Sequence, residues 1–68
     1  MKMTNQKQIR AAFWELYPHF DEQAREAGIR SKSQNYHPAT VRCKFCDFVE
    51  LLRIDGTISE SLANRATL

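Results

Sequence analysis

The chain has 68 residues, 43% of them hydrophobic and 26% charged, with ten Lys and Arg against eight Asp and Glu for a formal charge of +2. A chain of that length makes one domain that buries only about 60% of its unfolded surface, so a metal, a second copy or a partner would add materially to its stability. The charge balance excludes a strongly acidic DNA mimic, two cysteines exclude a disulfide-rich scaffold, and no segment approaches the roughly 20 apolar residues of a membrane span.

Residues 1–10 hold no apolar run of signal-sequence type, so the expected setting is a reducing cytoplasm. Asn5 is a candidate N-cap, with Gln8 three positions on to close a capping box. Ile9, Ala12, Phe13, Leu16 and Phe20 then recur at helical spacing, with Tyr17 on the flank and Trp14 at the edge of the apolar face. The helix expected over about 5–27 meets Pro18, which lacks an N–H and clashes with the preceding turn. It therefore either kinks there or stops near Leu16 and restarts with Pro18 in a new first turn. Gly28 followed by Ile29 reads as a C-terminal stop, with Ile29 packing back on Ala24.

Residues 28–37 are expected to form a polar loop whose only aromatic is Tyr36. Between Ile29 and Lys44 stand Arg30, Lys32, Arg42 and Lys44, with no acid among them. The next helix, over about 38–54, is opened by Pro38 behind a mediocre cap at His37. At about 100° per residue it carries two apolar faces. Val41, Phe45, Phe48 and Leu52 form one, and Cys43, Cys46 and Ile54 the other, interrupted by Glu50. Such a helix is either central in its own fold or offers its second face to a partner. Asp55-Gly56 ends it, and Thr57 with Glu60 suggests a capping box for a last helix over about 58–66 with Ile58, Leu62 and Ala66 inward. With no strand-like alternation, the fold expected is an all-α bundle of three helices, or four if Pro18 makes a true break.

Cys43-x-x-Cys46 with His37 and His19 has the residue count of a zinc site, but the cysteines lie one turn apart inside a strong helix rather than in a tight turn. The favoured reading is two small buried side chains, with no metal, no cofactor and no catalytic residue assigned. Residues 48–65 can be laid over a helix-turn-helix, with Gly56 in the turn and Ser59, Ser61, Asn64 and Arg65 toward DNA. Against it, Leu52 stands where close packing needs a small residue, and Asp55 and Glu60 would face phosphates. Trp, Tyr and Arg dominate binding hot spots. The candidate partner contacts are accordingly Arg10, Trp14, Tyr17, Arg30, Lys32, Tyr36, Arg42 and Lys44.

The C-terminal half, with its helix, Asp55-Gly56 turn and Ile58–Ala63 segment (Ile-Ser-Glu-Ser-Leu-Ala), resembles small uncharacterised helical proteins carried by phages, prophages and conjugative plasmids, as does the segment Gln8–Pro18. The resemblance implies ordinary apolar residues at the positions where Cys43 and Cys46 stand. The resemblance implies a setting rather than an activity: a bacterial cytoplasm and a binding protein that inhibits or modulates a host or defence protein, in the manner of an anti-CRISPR. A nucleic-acid-binding regulator is the alternative, and a zinc-stabilised structural module the second. A homodimer burying the Cys43/Cys46 face would supply missing core area.

Overall fold

Asn5 starts the first helix, its side chain accepting the Gln8 N–H at 2.9 Å. The reciprocal arm of the box closes one residue early, since Gln8 Oε1 accepts the N–H of Thr4 rather than that of Asn5. In the computed structural model, which describes residues 2–68, this helix, α1, runs Gln6–Leu16. Pro18 does break the ladder. Tyr17 leaves helical geometry at φ −121° and ψ 68°, donates its N–H to Phe13 O and accepts the N–H groups of Phe20 and Asp21. A second helix, α2, then runs Pro18–Glu26 with Pro18 in its first position, where a missing N–H does no harm. The turn leaves Leu16 56% exposed, not in the apolar stripe where its spacing had placed it.

Gly28 (φ +72°) closes α2 as anticipated, with Ile29 N–H reaching Ala24 O at 2.9 Å and Gly28 N–H reaching Arg25 O at 3.1 Å. This is the Schellman pattern, which only a left-handed residue at Gly28 permits. The expected loop contains one short 3₁₀ turn, Gln34–Tyr36. The long helix α3 spans Ala39–Ile54, with Pro38 rather than His37 as its N-cap and no side-chain cap hydrogen bond. A second Schellman closure follows, Gly56 (φ +79°) allowing Thr57 N–H to reach Leu52 O at 2.9 Å. The last helix, α4, is shorter than expected, Glu60–Arg65, and its cap is Ser59, whose Oγ accepts the Leu62 N–H at 3.1 Å. Thr57 cannot serve, because its backbone is already committed to the α3 stop. Its carbonyl also accepts the Met3 N–H, clipping the N-terminal segment to this turn.

These elements make an all-α fold of four helices. Its radius of gyration, 11.5 Å, is close to the about 11 Å of a compact chain this long. Phe13, fully buried, lies at the middle of the core, within 5.1 Å of the Trp14 and Tyr17 rings, 5.2 Å of Phe45 and 5.9 Å of Phe48. On α3 the buried sector is wider than the stripe read from spacing: Val49 joins Val41 and Phe45, while Phe48 and Leu52 are half-buried. Val49 lies on the side of α3 next to α4, sharing a groove with Ala63, Asn64 and Ala66. The second face stays open. Cys43 and Cys46 are exposed, correcting the expectation that they are buried, and Leu51 and Ile54 are 65% and 68% exposed. α4 comes up only to the Cys46 edge of that face, where Ala63, Asn64 and Ala66 line a shallow groove with Cys46, Glu50 and Arg53.

Four substitutions test this account. A domain of this size holds on the order of 3–10 kcal/mol of stability, and truncating a buried Phe removes about 3–5 kcal/mol. Phe13→Ala should therefore leave the chain largely unfolded at 25 °C by circular dichroism, whereas Leu16→Ala should change its urea midpoint little. Ser59→Ala should lower stability by about 1 kcal/mol in urea titration and Thr57→Ala by clearly less; the reverse order would reassign the cap.

Candidate functional site

Lys7, Arg10, Ala11 and Trp14 fall at i, i+3, i+4 and i+7, hence on one face of α1. The loop leaving α2 passes over that face, and Leu68 packs against its edge, 8% exposed. Between them lies a cleft of about 500 Å³. Its walls carry four cationic side chains, Lys7, Arg10, Arg30 and Lys32, and no Asp or Glu side chain.

Each wall is held by a different interaction. Arg30 is fixed from two sides: its guanidinium carbon sits 4.6 Å from the Trp14 ring centroid, and its Nε donates to Asp21 on α2. Cation–π stacking and ion pairing together make this residue a strut between α1, α2 and the loop. Arg10 is also committed, its Nε donating to Thr67 O at 2.7 Å and its Nη2 to Gln6 Oε1 at 3.1 Å. That contact returns the segment after α4 to α1, and Thr67 Oγ1 extends it to Gln34 Oε1 at 3.2 Å. Lys7 and Lys32 are exposed and enter no salt bridge among the described residues; the Lys32 ammonium lies 5.7 Å from the Tyr36 ring centroid.

The floor of the cleft holds His37, 3% exposed, its ring 5.5 Å from that of Trp14. His37 Nε2 lies 3.1 Å from the Lys32 carbonyl. A carbonyl only accepts, so Nε2 carries the hydrogen. Nδ1 is buried with no hydrogen-bond partner. An orphaned buried polar atom is a costly feature for a domain this small.

Of the eight candidate contacts, Arg10, Trp14, Arg30 and Lys32 converge on this cleft. Tyr36, 62% exposed, stands beside it. Trp14 is only 4% exposed and one ring face lies under Arg30, so it acts chiefly as core and as a platform for that guanidinium. Tyr17 is half-buried against Phe13 and Phe20. Arg42 is half-buried on α3, its Nε without a partner, and Lys44 is exposed on the same helix; neither lines the cleft. Sequence reasoning missed Lys7 as a cleft residue and weighed His37 only as a cap and a zinc ligand. Lys7 was legible from its spacing to Arg10 and Trp14. His37 was not, because its burial depends on the path of the loop. The residues weighed for zinc do not converge: His37 is taken by Lys32 O, His19 by Gln23, and no group of three or more His, Cys, Asp or Glu able to hold a metal occurs among the described residues.

Asp21 lies outside the cleft but governs its Arg30 wall. The hydrogen bond from Arg30 holds the Asp21 carboxyl below its ordinary 3.8, against a smaller opposing desolvation, with Arg25 adding to the lowering. A depressed carboxyl contributes stability that is fully present above its unfolded value and is lost as pH falls through the folded one. The Asp21 contribution should therefore persist at neutral pH and disappear below about pH 3.8. Asp21→Asn should flatten the acid limb of a stability–pH profile in that window, and an unchanged profile would remove Asp21 from the strut. Comparisons of this chain with protein-family models, with curated proteins and with solved structures give no match.

Proposed function

We propose that this chain is a small binding protein that acts on a protein partner through the cationic cleft, occupying an acidic segment of that partner and blocking its surface. The observation that carries this reading is the convergence of Lys7, Arg10, Arg30 and Lys32 on one concave surface with no opposing Asp or Glu. In a chain whose total charge is only +2, so one-sided a surface is a specific arrangement rather than a consequence of composition. Complementary charge chiefly sets association rate and partner choice. The resemblance of residues 34–68 to phage- and plasmid-borne proteins supports placing the partner in a bacterial host, as a component of host or defence machinery that this chain inhibits or modulates.

The structure also changes which residues should be reversed in a test. Arg30 is a strut, so reversing its charge would perturb the fold along with the cleft. Lys7 and Lys32 are exposed and carry the charge without the structural duty. Fluorescence anisotropy with a labelled hexaglutamate peptide should show saturable binding that Lys7→Glu with Lys32→Glu abolishes while circular dichroism is unchanged. Binding that survives the double reversal would overturn the assignment of the cleft. Tighter binding of a labelled DNA duplex, falling steeply with salt, would replace the protein partner with nucleic acid.

A further inference from the structure

Charge and donor chemistry in the cleft narrow the class of anion it takes. Arg30 is already paired with Asp21, so of the four cations three, Lys7, Arg10 and Lys32, face the cleft without a carboxylate partner. A single carboxylate would balance only one of them. A phosphomonoester carries about −1.5 to −2 at pH 7 and three strong acceptor oxygens. Ser31 and Ser33 flank Lys32 on the cleft wall, and neither hydroxyl enters a hydrogen bond among the described residues. They add neutral donors on either side of an ammonium. The volume, about 500 Å³, suits a phosphorylated side chain with its flanking backbone better than a bare carboxylate.

The walls are arranged for such a group before it arrives. Arg10 and Arg30 are held by Thr67, Gln6, Asp21 and Trp14, so binding would freeze chiefly the two lysines. Limiting the side chains that must be ordered is how a small site gains affinity.

We propose that the cleft is a phosphoryl-recognition site, and that its ligand is a phosphorylated side chain of the protein partner. This rests on the binding reading given above and names the group that the partner presents.

The test is ¹H–¹⁵N NMR titration of the whole chain at constant ionic strength with four probes: inorganic phosphate, and the peptides Gly-Gly-X-Gly-Gly with X as phosphoserine, glutamate or serine. The phosphoserine peptide should give saturable shifts at residues 30–33, His37 and the Trp14 indole. It should bind at least tenfold tighter than the glutamate peptide, with the serine peptide silent. Lys7→Gln with Lys32→Gln should weaken it at least tenfold without altering the spectrum elsewhere. Equal affinity for phosphoserine and glutamate peptides would overturn the phosphoryl assignment while leaving the acidic-segment reading intact. Silence from both while hexaglutamate still binds would overturn the phosphoryl assignment alone, and silence from hexaglutamate as well would overturn the two together. Inorganic phosphate binding as tightly as the phosphopeptide would overturn the protein source and make the ligand a free phosphate.

Discussion

The Phe13 ring is the interaction on which the rest of this structure depends. It is fully buried and packs against aromatic side chains from α1, α2 and α3, with Phe20 stacked at 6.4 Å and Phe45 edge-on at 5.2 Å. In a chain of 68 residues few other side chains can do this. Aromatic rings supply the largest area per residue, and their edge-to-face contacts add about 0.5–1.5 kcal/mol per pair beyond burial. Pro18 helps rather than hinders. By ending α1 at Leu16 it lets α2 turn, so that Phe20 meets the same ring from a second direction and Ala24 joins the core.

The cleft is a by-product of that packing made polar. Trp14, next to Phe13, closes the edge of the core with one ring face and receives the Arg30 guanidinium on it. Asp21 anchors Arg30 from α2, so the wall of the cleft and the α1–α2 junction share one set of contacts. The tail after α4 supplies another wall with Leu68, and its Thr67 carbonyl holds Arg10 in place. The cleft and the fold thus draw on the same few residues, and of its four cations only Lys7 and Lys32 enter no salt bridge or side-chain hydrogen bond among the described residues.

The α3 face with Cys43, Cys46, Leu51 and Ile54 is the opposite case. Its spacing announced a second apolar face, and the structure leaves that face in solvent. Cysteine at an exposed helical position is reactive in a way that a buried one is not, since access of reagents controls thiol chemistry along with thiolate fraction.

Local chemistry was legible from the residues themselves. The Asn5 cap, the break at Pro18, the two glycine stops at Gly28 and Gly56 and the 3.6-residue periodicity of α1 and α3 follow from φ restrictions, missing donors and the need to bury apolar stripes, all short-range causes. So does the all-α class. What the tertiary structure alone decided was which face of α3 is covered, that Ser59 rather than Thr57 caps α4, that His37 is buried, and that Lys7 and Arg10 meet Arg30 and Lys32 across a gap of twenty or more positions. Ser59 takes the cap because Thr57 is committed to the α3 stop, and the burial of His37 and the meeting of the four cations depend on where the loop and the tail cross α1. Those paths are set by long-range packing around Phe13 and Trp14, whereas periodicity describes one helix at a time and carries no information about which helix will cover it.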